Sequence, residues 1–152
     1  MSRVLAFGAL WVVAMLVGAC GGGGADRPAD PREDPGIAGV RATLRAEGEA
    51  WSKKRWEELC ALYTAHYQAT LAAYGNAGTC GAYEKRVAAD DRRRSGINRG
   101  QQLIGCADTA EFKVEGSTAK PANPAAVGPA ACAGASEFIY KDGRWFHSFE
   151  GK

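Results

Sequence analysis

The stretch that decides the fold lies near the end of the chain, where Ser136–Phe149 reads SEFIYKDGRWFHSF. Two runs of alternating aromatic and polar residues flank Asp142-Gly143, a dipeptide that favours a two-residue type I′ turn. Closing the chain on this turn places Phe138 opposite His147. The sequence therefore predicts a β-hairpin with an aromatic face. That face carries three further aromatic residues, Tyr140, Trp145 and Phe149.

Far upstream of the hairpin, apolar residues recur at the three- or four-residue spacing that is typical of helices. The first predicted helix has apolar residues on one face, at Ile37, Val40, Leu44 and Trp51. Ser52 is a candidate N-cap for a second helix, continuous or interrupted, that ends at Tyr74 before Gly75. Thr79 is a candidate N-cap for a third helix.

Between the predicted helices and the hairpin the pattern changes to that of a strand. Apolar and charged residues alternate over Ala110–Glu115, which predicts a strand with one wet face. Small residues and prolines in Gly116–Ala131 predict a loop. Helices followed by antiparallel strands predict the α+β class, with the helices packed on the sheet.

The first twenty residues differ in kind from the rest of the chain. After Arg3, the uncharged run Val4–Ala19 is shorter than the roughly 20 residues that a membrane-spanning helix needs. Val17-Gly18-Ala19-Cys20 resembles the lipobox of bacterial lipoproteins. This resemblance implies a signal peptide at 1–19 and a lipidated Cys20 as the mature N-terminus. We therefore expect a protein anchored by lipid at the extracytoplasmic face of the cell membrane.

Residues 20–36 predict a flexible tether, and residues 37–152 a single folded domain. The segment Gly21–Gly36 has no aliphatic side chain larger than alanine, so it cannot contribute to a core. In the whole chain of 152 residues, 19 Lys or Arg and 17 Asp or Glu give a formal net charge of +2. Because this charge is nearly balanced, we expect no nucleic-acid partner. The basic stretch Lys85–Arg99 is interpreted either as solvated surface or as a contact with anionic lipid or wall polymer.

Of the five cysteines, four remain once Cys20 is assigned to lipid, an even number in an oxidising compartment. Three pairings are possible. We predict the sequential one, Cys60–Cys80 and Cys106–Cys132, because it joins neighbouring predicted elements. The cysteines lack the closely spaced pairs of structural zinc sites, so we expect no metal.

Several segments resemble exported actinobacterial lipoproteins with a nuclear-transport-factor-2-like, or SnoaL-like, domain. The segments are Trp51–Cys60 (WSKKRWEELC), the cysteine that starts the next helix, and the closing FIYKDGRWFHSF. The resemblance implies a curved antiparallel sheet wrapped around helices as a cone with a pocket. The superfamily includes isomerases, cyclases and dehydratases alongside non-catalytic modules. Because Gly116–Ala131 replaces sequence that is strand in that family, we predict a shortened or interrupted sheet.

Residues that could carry chemistry are few. His147 is interpreted either as a packed core histidine or as an acid/base in a pocket. Asp90 and Asp91 are candidate carboxylates to orient it, or surface partners of the adjacent arginines; His66 is interpreted as a rim residue. The predicted pocket lining is Phe138, Tyr140, Trp145, His147 and Phe149.

Three functional hypotheses follow from these observations. The first is a membrane-anchored, non-catalytic module that binds a small apolar ligand or an envelope protein. The second is an isomerase- or dehydratase-like enzyme that uses His147. The third is a structural spacer of the envelope. We expect no cofactor, since no glycine-rich phosphate loop follows a strand.

Overall fold

The computed structural model describes residues 29–94, 98–122 and 137–149. Within them, five α-helices precede a four-stranded antiparallel sheet, which confirms the predicted α+β class. Short 3₁₀ helices occupy Pro31–Glu33 and Tyr74–Asn76. The helices are α1 Ile37–Ser52, α2 Trp56–Cys60, α3 Ala65–Ala73, α4 Cys80–Arg94 and α5 Arg99–Thr109. The strands are β1 Phe112–Glu115, β2 Thr118–Pro121, β3 Glu137–Lys141 and β4 Arg144–Ser148.

The β3–β4 hairpin has the predicted turn and register. Phe138 pairs with His147 in the antiparallel ladder. Asp142 (φ 51°) and Gly143 (φ 80°) both adopt left-handed backbone conformations, as a type I′ turn requires. The four strands follow one another in the order β1-β2-β3-β4, so the hairpin forms one side of the sheet.

Strand β2 corrects the prediction that Gly116–Ala131 is a loop throughout. Residues 118–121 pair with β1 on one side and with β3 on the other. The sequence TAKP has little strand propensity of its own, so the two neighbouring strands supply the stabilisation. Only Ala119 of this strand is buried. Residues 123–131 lie outside the described part of the chain.

Helices α1 and α5 approach each other closely along two glycines. A Cβ atom on Gly48 would lie 2.7 Å from the Gly100 carbonyl oxygen, and one on Gly100 would lie 2.1 Å from Ser52 Oγ. Helix α5 is absent from the predicted elements because its glycines and polar residues weaken the helical pattern. It is stabilised by packing on α1 and by the Asn98 cap, whose Oδ1 accepts from the Gln101 N–H.

The region predicted as the second helix is interrupted. Ser52 ends α1 and does not cap the next helix, and α2 begins at Trp56. Between α2 and α3, the His147 N–H donates to the Leu62 carbonyl and the Thr64 N–H donates to the His147 carbonyl, both at 2.8 Å. The chain is extended here because these bonds add it to the edge of β4.

A disulfide joins the end of α2 to the start of α4. The bonded residues are Cys60 and Cys80, which confirms the first predicted pair. Thr79 caps α4 as predicted, since its Oγ1 accepts from a backbone N–H at 3.1 Å. Cys106 is buried on α5, and its predicted partner Cys132 lies outside the described residues.

The core consists of two clusters of buried side chains. One lies between α1, α5 and the sheet and contains Phe138 and Trp145, both fully buried. The other lies between the ends of α1, α2, α3 and α4 and contains Tyr63 and the disulfide. No helix in the described part of the chain is both long and apolar enough to cross a membrane.

Candidate functional site

His147 lies where the two core clusters meet. Its ring stacks on Phe138 at a centroid distance of 4.9 Å and meets Tyr63 edge-on at 5.6 Å. Its Nδ1 lies 3.0 Å from Glu47 Oε2, and its side chain is 13% exposed. The imidazole is therefore held by packing and by a carboxylate, with limited access to solvent.

Glu47 is the carboxylate that contacts His147. It lies on α1 and is 1% exposed. Its Oε2 faces the imidazole, whereas its Oε1 is buried without a hydrogen-bond partner. An unsatisfied buried acceptor costs about 1–3 kcal/mol. One of the two oxygens of Glu47 is therefore buried without a hydrogen-bond partner among the described residues.

Glu84 forms a second buried carboxylate, on α4. The Tyr63 hydroxyl donates to its Oε1 at 3.2 Å, while its Oε2 is buried without a partner. Burial raises the pKa of Glu84, and the positive charge of Arg99 opposes that rise. Because the Tyr63 ring also contacts His147, this tyrosine joins the two carboxylates into one site.

Tyr67 and Arg99 complete the surroundings of these groups. The Tyr67 ring lies 4.9 Å from the Tyr63 ring and 5.6 Å from that of His147. Burial raises the pKa of Tyr67 to about 12, so its phenol is neutral at pH 7. Burial likewise raises the pKa of Tyr63. Arg99 stacks over Trp51 at 4.8 Å. Its positive charge opposes, without cancelling, the rise that burial causes in the pKa of both tyrosines.

We refer to these residues as the carboxylate–tyrosine site: Glu47, Tyr63, Tyr67, Glu84, Arg99 and His147. They come from α1, the extended segment after α2, α3, α4, α5 and β4. The pairing of His147 with the segment around Tyr63 and the nearby disulfide hold these elements together.

The residues predicted to line a pocket lie in different surroundings. Phe138 and Trp145 are fully buried in the core. Tyr140 packs on Trp145, and its hydroxyl donates to the Glu33 carbonyl at 2.9 Å. Phe149 is 43% exposed and lies 5.9 Å from Tyr67, at the edge of the carboxylate–tyrosine site. His147 is the member of the predicted set that contacts a carboxylate.

Asp90 and Asp91 lie near the end of α4, where Asp90 is exposed and Asp91 half-buried. The carboxylate within hydrogen-bond distance of His147 is that of Glu47. His66 is exposed on α3.

Sequence reasoning missed Glu47 and Glu84, although both carry a recognisable signal. Glu47 follows Val40 and Leu44 on the apolar face of α1 at helical spacing. Glu84 lies one turn after Cys80 in the same way on α4. A carboxylate on the apolar face of a helix has no solvent to face, so it marks a buried polar site.

A cleft of about 440 Å³ lies elsewhere, between the Pro31–Glu33 turn, α1 and α2. Four arginines are among its lining residues: Arg32, Arg45, Arg55 and Arg144. Three of them form ion pairs, with Asp30, Asp108 and Glu58 respectively. Because most of these arginines already have a charged partner, the cleft is a weaker candidate for ligand binding than the carboxylate–tyrosine site, where two buried oxygens have no hydrogen-bond partner. No group of three or more metal-ligating side chains occurs among the described residues.

Comparison with protein-family models, with curated proteins and with solved structures gives no significant match.

Proposed function

We propose that this chain is a lipid-anchored, extracytoplasmic lipoprotein whose domain is a non-catalytic module that binds a small ligand at the carboxylate–tyrosine site. The observation that carries this proposal is the pair of buried carboxylates, Glu47 and Glu84, each with one oxygen that no hydrogen bond satisfies. Buried polar groups are nearly always paired in folded proteins, by protein, by water or by a ligand. Two such groups at one aromatic site support a role in binding.

The proposal for the anchor rests on the lipobox that ends at Cys20. Ala29, the first residue described, lies nine positions after Cys20. A flexible tether of that length has a root-mean-square reach of about 15–18 Å. The domain would therefore work close to the headgroups of its membrane. Within this proposal we also expect the sheet to have the curvature of a nuclear-transport-factor-2-like cone, with the site at its helical side.

The anchor is tested by expressing Cys20→Ser and separating membrane from soluble fractions. We expect the variant to leave the membrane fraction while the unchanged chain stays in it, since two or more acyl chains give a persistent anchor. A variant that stays in the membrane fraction as fully as the unchanged chain would refute lipid attachment at Cys20.

Ligand binding is tested by native mass spectrometry of the full lipoprotein purified from its own membrane. We expect a bound small molecule that Glu47→Gln and Glu84→Gln release. Glu49→Gln is the matched control, because Glu49 lies on the same helix but pairs with Lys53 in solvent. If the domain is a spacer without a binding site, the unchanged protein will retain no small molecule. If the two carboxylates have only a structural role, the Gln variants will retain the molecule as fully as the unchanged protein does.

A second candidate, an isomerase- or dehydratase-like enzyme, is favoured by the contact between His147 and Glu47. A carboxylate that orients an imidazole is a common arrangement for general acid/base catalysis. In this hypothesis Nε2 of His147 exchanges a proton with the substrate, and Glu47 is a positioning residue.

The two functions are distinguished by following the retained molecule with NMR in the presence of the protein. Conversion that is lost in His147→Gln, with a pH profile altered in Glu47→Gln, would favour the enzyme. A ligand that remains unchanged supports the binding module.

A further inference from the structure

We infer that the ligand of the carboxylate–tyrosine site is a small organic cation, a protonated amine that its acidic and aromatic groups recognise together. This inference rests on the proposed ligand-binding function and names the ligand class. Three properties of the site lead to it: the hydrogen-bonding character of its unsatisfied atoms, the faces of its rings and its balance of charge.

The unsatisfied atoms of the site are all acceptors. They are Oε1 of Glu47 and Oε2 of Glu84, and an ionised carboxylate has no proton to donate. A ligand that pairs with them must therefore supply N–H or O–H groups. An ammonium group supplies up to three donors and forms charge-assisted hydrogen bonds, which are stronger than those of a neutral donor.

The rings that contact these two carboxylate side chains suit a cation. Tyr63, Tyr67 and His147 form mutual ring contacts between 4.9 and 5.6 Å. Phe149 extends the set towards solvent, since it is 43% exposed and lies 5.9 Å from Tyr67. Aromatic faces attract ammonium groups, and several rings together form the cages that bind organic cations. An anionic ligand would be repelled by the same ring faces.

The balance of charge points the same way. Glu47 and Glu84 are the two acidic groups at the site, and Arg99 is the guanidinium that acts on Glu84. The tyrosines contribute no charge at pH 7, because burial raises the pKa of Tyr67 to about 12 and that of Tyr63 as well. With both carboxylates ionised and the imidazole of His147 neutral, its Nδ1–H donates to Glu47 and one negative charge remains. One ammonium group balances that charge.

A metal ion is the other cation to consider. Zinc in proteins is held by groups of three or four side-chain ligands, and calcium by six to eight oxygen atoms. In the described part of the chain no such group is close enough together. The site therefore has the acceptors and rings for an organic cation but not the number of side-chain ligands that zinc or calcium needs.

The experiment compares three probes of similar size by isothermal titration into the full lipoprotein in a non-ionic detergent at pH 7. The probes are benzylammonium chloride, benzyl alcohol and sodium benzoate. We expect benzylammonium to bind at least about tenfold more tightly than benzyl alcohol, because its hydrogen bonds to carboxylates are charge-assisted. We expect benzoate not to bind. Glu47→Gln and Glu84→Gln should each weaken benzylammonium binding about tenfold, and Glu49→Gln should leave it unchanged.

The comparison of probes on the unchanged protein needs no variant to fold, so it decides the inference by itself. Equal binding of the alcohol and the ammonium ion, tighter binding of benzoate, or no binding of benzylammonium would overturn it. An equal loss in Glu49→Gln would also overturn it, since general surface charge would then explain the preference. A retained ligand that proves neutral or anionic would refute the cation while leaving the binding function intact. If nothing is retained and no probe binds, the binding function fails as well.

Discussion

Removal of the Cys60–Cys80 disulfide tests how the carboxylate–tyrosine site is held together. The bridge joins residues separated by 20 positions. In the chain-entropy model, a closed loop of that length stabilises the folded state by about 3 kcal/mol, because it restricts the unfolded chain. The double variant Cys60→Ala/Cys80→Ala should therefore lose about 3 kcal/mol of unfolding free energy. For a domain of this size that corresponds to a fall of roughly 12 °C in the thermal midpoint.

The bridge also positions two members of the site. Tyr63 lies three residues after Cys60, and Glu84 lies one helical turn after Cys80. Loss of the covalent link should loosen the extended segment at Tyr63, whose neighbours pair with His147. We therefore expect faster amide exchange at Thr64 and His147 in the double variant, beyond the change that global unfolding explains.

The assay is urea unfolding followed by circular dichroism, with hydrogen exchange on the same samples. Cys20→Ser is the matched control, since it removes a cysteine that lies before the predicted domain and should not change the midpoint. A loss below about 1 kcal/mol would show that the loop-closure argument does not apply to this chain. Unchanged exchange at Thr64 and His147 would show that the bridge does not order the site.

Three further predictions concern charge, crosslinks and packing. Burial raises the pKa of Glu84 in the folded protein, so folding favours the protonated side chain. This stabilisation is fully present at a pH below the pKa of Glu84 in the unfolded chain, and it is lost as the pH rises through the pKa of Glu84 in the folded protein. Glu84→Gln should therefore destabilise the protein more at pH 4 than at pH 7 in urea unfolding, and the reverse order would contradict the burial argument. Alkylation of the unfolded, unreduced protein should modify neither Cys106 nor Cys132; two modified thiols would refute the second predicted disulfide. Gly100→Ala should cost about 1–3 kcal/mol by overpacking α1 against α5. Gly105→Ala, which meets no atom within 4 Å, should be neutral or stabilising in the same unfolding assay, and an equal loss in both would disprove the close-approach argument.

The features predicted correctly from the sequence are those that local interactions determine. The turn at Asp142-Gly143 fixes the register of β3 and β4, because a two-residue loop leaves one pairing for the residues beside it. Thr79 caps α4 through its own side chain. Neither feature depends on residues far away in the sequence.

The features that sequence reasoning missed depend on distant partners. Strand β2 forms between two neighbours that supply its hydrogen bonds. Helix α5 packs on α1 through Gly48 and Gly100, residues that lower helix propensity where they occur. The interruption after α2 follows from backbone pairing with His147, which is far along the chain. Such partners become visible only once the chain is folded.

The candidate site was predicted in part. His147 was identified because the hairpin register places it on the aromatic face. The sequence offers Asp90 and Asp91, in a charged run, as candidates for its carboxylate partner, whereas Glu47 on the apolar face of α1 makes the contact. A charged residue within the apolar face of a helix indicates a buried site more strongly than a run of charged residues does, because the run is surrounded by solvent.

The two buried carboxylates also bear on the hypothesis of an envelope spacer. A spacer needs only a stable domain, and replacing a buried, incompletely paired charge by an apolar residue is often neutral or stabilising. Glu47 and Glu84 are nevertheless buried at 1% and 2% exposure, each with an unsatisfied oxygen. Natural proteins depart from the rules of stable packing mainly at functional sites, where activity can require a group that destabilises the fold. The carboxylates thus favour a site that recognises a ligand over a domain that only fills space.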